Sequence, residues 1–225
     1  MTHPGQPGAV LFDLDGTLVD TAPDFHAVLT RLCKAHGRPA PGYEALHAVV
    51  SEGGRAMVTL AFGLPPDHPE FPDLHRAFLN AYSEQACHHS RLYEGADALL
   101  NWLDSQTLPW GIVTNKPRRF TEVIVDTLKL RPHAVVCPDD VPRAKPAPDA
   151  LLKACDALGT ETAATWYVGD HPRDVEAGQA AGCPTLGATW GYISDRHPPE
   201  SWGADVLIPS PIALLNLLKQ TLKLD

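Results

Sequence analysis

The chain has 225 residues, 44% hydrophobic and 20% charged, a globular composition with room for one α/β domain carrying an insertion or for two small domains. Eighteen lysines and arginines against 27 acidic residues give a formal charge of −9, which excludes bulk attraction to nucleic acid or to an anionic membrane and leaves only a local basic pocket for a small anion. Five scattered cysteines without a C-x-x-C pair argue against a disulfide framework or a structural zinc site; with no signal-like start and no apolar run near ~18 residues, the expectation is a soluble cytoplasmic protein.

The first apolar run, Ala9–Phe12, stops at Asp13 and predicts a strand. From about 18 to 91 the pattern is helical with no convincing strand, broken by the proline-rich stretch Gly63–Pro69. This predicts a helical insertion after the first strand, above its end, with hinges near Leu18–Asp20 and His89–Glu94. Within it Gly53-Gly54 opens a helix beside Arg55, which either forks onto a carboxylate or sits exposed at an interhelical turn. Cys87-His88-His89 lacks partner spacing for a metal and reads as a helix end or hinge.

From 92 onward strand and helix alternate. Helical spacing puts Leu99, Leu100 and Leu103 on one side of 94–105, Val123, Ile124 and Leu128 on one side of 119–129, and Leu151, Leu152 and Leu158 within 148–158; residues 172–181 are alanine-rich. The strands between them are Trp110–Val113, Ala134–Cys137, Trp166–Gly169 and Asp205–Ile208. Continuous apolar runs of this kind are buried on both faces, as in a parallel sheet covered by helices. The predicted fold is therefore α/β, a doubly wound, Rossmann-like parallel sheet with right-handed crossovers, built from 1–17 and 92–225, with 18–91 inserted.

In such a sheet the ligand site lies at the carboxyl ends of the strands. The residues that end the runs here are Asp13 and Asp15, Thr114 and Asn115, and Asp170 followed by Asp174, with the cationic loop Arg143-Ala144-Lys145-Pro146 after the third run. Taken singly, a D-x-D pair is a solvated turn, Thr114 a strand end and Lys145 a surface charge. Converging carboxylates with one lysine make poor packing, because buried unpaired charge is unfavourable, but they suit a hard divalent cation and a phosphate.

The stretch Asp13-Leu14-Asp15-Gly16-Thr17-Leu18-Val19-Asp20 resembles the first motif of the aspartate-nucleophile phosphatases of the haloacid dehalogenase superfamily. Three further family motifs follow in order: Ile112-Val113-Thr114-Asn115, the lysine of Arg143-Ala144-Lys145-Pro146-Ala147-Pro148-Asp149, and Val168-Gly169-Asp170-His171-Pro172-Arg173-Asp174. The resemblance implies that Asp13 attacks phosphorus and Asp15 serves the leaving group as acid and the attacking water as base. It implies that Thr114 and the following amide, at Asn115, bind phosphoryl oxygens and that Lys145 neutralises the phosphoryl group. Mg2+ would be held by Asp13, the Asp15 carbonyl and Asp170, with Asp174 at the metal directly or through water, and 18–91 would be the cap. A carboxylate nucleophile is ionised at neutral pH and needs no activating base. His171 reads as tolerated variation, and Lys116, Arg118 and Arg119 either add positive potential at the cleft or lie on a solvated helix.

Within the superfamily the chain is similar to the phosphoglycolate phosphatase group and, through Ser51–Met57, Ser90–Gly95, Trp110–Pro117, Trp190–Ile193 and Ser201–Asp205, to bacterial N-acetylmuramic acid 6-phosphate phosphatases of peptidoglycan recycling. Both substrate types are phosphomonoesters bearing a carboxylate, which Arg55 would bind in either case. The expected partner is thus a small phosphorylated molecule, with no nucleic acid and no membrane, and the oligomeric state is left open. A phosphosugar mutase, a haloacid dehalogenase and a catalytically silent phosphosugar-binding regulator remain as alternatives.

Overall fold

Four consecutive apolar residues make β1 (Ala9–Phe12) a strand buried along its whole length. The structure, a computed structural model, describes residues 5–223. After β1 the chain turns into a two-residue strand, β2 (Val19–Asp20), and then into four helices, α1 (Ala22–Ala35), α2 (Tyr43–His47), α3 (Gly54–Phe62) and α4 (Phe71–Gln85). It returns through β3 (Arg91–Leu92), which pairs with β2. Alternation follows: α5 (Ala96–Ser105), β4 (Trp110–Val113), α6 (Arg118–Thr127), β5 (Ala134–Val136), α7 (Asp149–Leu158), β6 (Thr165–Gly169) and α8 (Pro172–Ala181). The chain ends with β7 (Thr185–Ala188), β8 (Val206–Ile208) and α9 (Pro211–Leu222).

Six strands form one parallel sheet in the order β5-β4-β1-β6-β7-β8. Val10 on the central strand stands opposite Trp110 on one side and Trp166 on the other. The chain builds outward from β1 through β4 to β5, then crosses back to β6 on the opposite side of β1. That reversal creates a crevice at the carboxyl end of β1, where open α/β sheets place their ligands. One face of the sheet packs Leu11, Val113, Val136 and Tyr167 against Leu151, Ala154 and Ala177 of the helices.

The chain divides into two compact units, Met1–Val19 with Leu92–Asp225, and Asp20–Arg91. The second has its own core, in which Phe25 of α1 stacks on Tyr82 of α4 with ring centroids 4.4 Å apart. Asp24, 1% exposed, is tied down by the backbone N–H groups of His89 (2.8 Å) and Ser90 (2.9 Å), which fixes the end of this unit onto α1. Cys87 lies just past α4 with φ 67°, so Cys87-His88-His89 is a helix exit.

Several expectations need correction. Thr185–Ala188 is a sixth strand of the main sheet that the apolar runs did not disclose, because Thr-Leu-Gly-Ala holds one large apolar residue, Leu186, between a polar residue and a glycine and so forms no apolar run. The helical stretch is also bounded by two short strands, β2 and β3, too brief for any period to show. Val123, Leu152 and Leu207, expected inside, are 38%, 47% and 38% exposed. Val123 and Leu152 each neighbour a better-buried residue on the core stripe, Ile124 and Leu151, and Leu207 lies on the edge strand, covered on fewer sides.

These burials predict unequal responses to truncation. Leu11→Ala, at the centre of the sheet, should lose about 3 kcal/mol of stability in urea titrations. Leu152→Ala should stay within about 0.5 kcal/mol of the parent.

Candidate active site

The crevice is built first by a glycine turn. Leu14 donates its backbone N–H to Asp13 Oδ1 at 2.7 Å, and Gly16 donates its own to Val19 O at 3.0 Å, so the chain doubles back directly after β1. Gly16 has φ 86°, and a Cβ there would fall 2.1 Å from Asp170 Oδ2. Gly191 approaches from the loop after β7, where a Cβ would lie 2.2 Å from Gly16 O. Glycine is therefore required twice, by backbone conformation and by close approach.

Around this turn the strand ends deliver their charges. Lys145, 4% exposed, places Nζ 3.0 Å from Asp13 Oδ1, 2.6 Å from Asp174 Oδ1, 2.8 Å from Tyr167 Oη and 3.0 Å from Val113 O. Asp170, 1% exposed, accepts from Thr17 Oγ1 at 2.9 Å and from the Tyr192 N–H at 2.9 Å. Asp174 caps its own helix, Oδ2 accepting the His171 N–H at 3.1 Å, while His171 Nδ1 accepts from the Arg173 N–H at 3.2 Å. His171 is thus the N-cap of α8, a structural post.

Asp13, Asp170 and Asp174 bring carboxylate oxygens within 4.8 Å of one another. Burial, reinforced by the mutual repulsion of these carboxylates, pushes Asp170 up to about 8. Burial also pushes Asp13 up to about 6 against the opposing pull of Lys145. Three carboxylates facing one ammonium leave an excess of negative charge, and all the donors are hard oxygens. An ion bound at about 2.1 Å sets ligand oxygens no more than about 4.2 Å apart, close to the spacing present, so the residues fit a small divalent cation such as Mg2+.

The other expected site residues fall as follows. Thr114 is buried at the end of β4, with Oγ1 accepting the Lys116 N–H at 3.1 Å. Asp15 points its Oδ1 at Lys116 Nζ, 2.8 Å away. The Asn115 side chain grips the Lys145 backbone, Oδ1 accepting its N–H at 3.0 Å and Nδ2 donating to its carbonyl at 2.9 Å, while the part expected at the substrate is the Asn115 backbone amide. The side-chain amide matches the spacing of a peptide group and holds the lysine loop as a strand neighbour would. Arg55 belongs to the other unit, exposed, with its guanidinium 5.3 Å from the Phe71 ring centroid.

Of the three cations after Thr114, Lys116 is buried in the site, Arg118 is bound to Asp140 and Val135 O, and Arg119 covers the Phe120 ring. Tyr167 was not singled out by sequence reasoning, which placed it in an apolar strand. Its hydroxyl accepts from Lys145 and has Val113 O and Asp174 Oδ1, each 3.1 Å away, as acceptors for its own proton. The signal available was the polar tip of a tyrosine three residues before Asp170, since a buried tyrosine hydroxyl needs a partner.

Residues 10–188 match the sequence profile described as haloacid dehalogenase-like hydrolase. This chain belongs to that family. An N-acetylmuramic acid 6-phosphate phosphatase of Pseudomonas aeruginosa is 45% identical over 216 residues, covering 95% of this chain and 96% of the relative. A phosphoglycolate phosphatase of Xanthomonas campestris pv. campestris is 39% identical, covering 91% and 93%. Among solved structures, a predicted phosphoglycolate phosphatase from Haemophilus somnus 129pt superposes with a TM-score of 0.83 at 25% identity, covering 94% of this chain and 98% of that one. No described helix is long and apolar enough to cross a membrane.

The raised carboxyl groups make stability depend on pH. Asp13 and Asp170 hold protons more tightly folded than unfolded, so their contribution is complete below pH about 4 and is lost as pH rises through about 6 and about 8. Melting temperature in EDTA should fall between pH 5 and 8.5. Asp170→Asn should flatten the upper part of that fall, and added Mg2+ should reverse it in the parent.

Proposed function

We propose that this chain is a Mg2+-dependent phosphomonoester hydrolase working through an aspartyl-phosphate on Asp13. Its substrate is a small phosphorylated acid or sugar of the N-acetylmuramic acid 6-phosphate or phosphoglycolate type. The observation that carries this reading is the Lys145 ammonium held 3.0 Å from Asp13 Oδ1 beside a cluster of three carboxylates. For stability alone, well-packed apolar residues in place of such a cluster are often as good or better. The names of the relatives support the substrate types, which share a phosphomonoester and a carboxylate.

Asp13 attacks phosphorus, and the ester bond to the alcohol breaks as the Asp13–phosphorus bond forms. Asp15 gives a proton to the departing alkoxide and later takes one from the water that hydrolyses the acyl phosphate, releasing phosphate. Lys145 neutralises charge on the transferring group, and Thr114 with the Asn115 backbone N–H orients its oxygens. Mg2+, held by Asp13, Asp170, Asp174 and the Asp15 carbonyl, would supply the remaining charge neutralisation. Tyr167 and the Asn115 side chain position Lys145 at its head and at its backbone. The helical unit Asp20–Arg91 is the proposed substrate-selecting cap, with Arg55 as its candidate carboxylate-binding cation.

Purified protein with Mg2+ should release inorganic phosphate from N-acetylmuramic acid 6-phosphate or phosphoglycolate, followed by a colorimetric phosphate assay. Asp13→Asn and EDTA should each abolish this release. Retained turnover in Asp13→Asn would reject the assigned nucleophile, and an isomerised phosphosugar in place of free phosphate would make the protein a mutase. Tyr167→Phe keeps the ring and removes the hydroxyl, so kcat should fall about tenfold with KM nearly unchanged, consistent with the loss of one hydrogen bond to a charged group.

A further inference from the structure

Besides Lys145, a second lysine is buried in the acidic site. Lys116 is 7% exposed, and its Nζ stands 2.8 Å from Asp15 Oδ1. Its backbone is fixed by two side chains: Thr114 Oγ1 accepts the Lys116 N–H at 3.1 Å, and Thr121 Oγ1 donates to the Lys116 carbonyl at 3.1 Å. The ammonium is therefore carried by a rigid stretch between β4 and α6, as a binding group should be.

The two lysines divide the carboxylates between them. Lys145 meets Asp13 and Asp174, while Lys116 meets Asp15. In the reaction proposed above, Asp13 receives the phosphoryl group and Asp15 faces the ester oxygen. Lys145 then lies on the phosphoryl side and Lys116 on the side of the departing alcohol. A Lys–Asp pair at this depth is not explained by stability, since well-packed apolar side chains in its place are often as good or better. A buried cation beside the leaving half has a use when that half is itself an anion.

We propose that Lys116 is the subsite for a second negative group of the substrate, a carboxylate on the leaving half close to the ester oxygen. Two successive hydrogen bonds of about 2.8 Å, ester oxygen to Asp15 and Asp15 to Lys116, joined across the carboxyl group, keep the ammonium within about 8 Å of the ester oxygen. A carboxylate one or two carbons from that oxygen lies within this reach, which selects the phosphoglycolate type over N-acetylmuramic acid 6-phosphate, whose carboxylate stands on the far side of its sugar ring. An ammonium presents three donors on a flexible stem, so contact with Asp15 and with a carboxylate is compatible, where a guanidinium fork would favour one planar partner. The core thereby reads the acid function of the substrate independently of Arg55.

The inference rests on the phosphatase reading of Asp13 and Asp15, and the test separates the two. Phosphoglycolate is compared with 2-hydroxyethyl phosphate, an alkyl ester of the same length with a neutral tail and similar demand for a leaving-group acid. The wild-type protein should favour phosphoglycolate in kcat/KM by at least about tenfold. In Lys116→Met the ratio of the two kcat/KM values should fall about tenfold or more, to near one, mainly through KM for phosphoglycolate, as expected for a lost charge-assisted hydrogen bond. Lys116→Arg should restore part of the ratio. Equal losses on both esters would mean that Lys116 serves only Asp15 and would overturn the proposal. So would a wild-type enzyme that does not distinguish the two esters, a result that needs no variant to fold. Absence of phosphate release from every phosphomonoester tried would overturn the phosphatase reading and this one together.

Discussion

Lys145 is the interaction on which the site depends. Its ammonium is nearly sealed from solvent and sits between Asp13 and Asp174, with the Tyr167 hydroxyl and the Val113 carbonyl completing its surroundings. Without it, three carboxylates would face one another in a low-dielectric pocket, where like charges disfavour ionisation. With it, one positive charge still falls short of their combined negative charge. That shortfall is what makes the pocket receptive to a divalent cation and, beyond it, to a phosphoryl group.

The fold supplies this arrangement by bringing distant segments to one edge of one sheet. Asp13 follows the central strand, Thr114 and Lys116 follow its neighbour on one side, and Asp170 and Asp174 follow its neighbour on the other. Lys145 arrives on the loop between β5 and α7, its backbone gripped by the Asn115 amide. The approach is so close that Gly16 and Gly191 leave no space for a side chain against Asp170. Rigidity here comes from interlocking backbone contacts, and it holds charges in place that would otherwise move apart or recruit water.

Much of this was legible in the sequence. Runs such as Ala9–Phe12 and Trp166–Gly169 are apolar throughout because strands in a covered parallel sheet have no solvent face. Polar residues that interrupt such runs mark the strand ends, which is why Asp13, Thr114 and Asp170 are visible in the sequence. The strand Thr185–Ala188 is hidden because its single large apolar residue, Leu186, makes no run, and the exposure of Leu152 and Val123 is hidden because a helix stripe does not reveal its own edges.

The sequence by itself determined the fold class, the order of the chemical groups and the membership in a family of hydrolases, because these depend on residue type and spacing along the chain. Only the tertiary structure decided who pairs with whom. It gave Asn115 to the Lys145 backbone, Tyr167 to the Lys145 ammonium and Lys116 to Asp15. Such pairings join positions up to about a hundred residues apart, and their strength depends on distance and burial, which local pattern does not encode.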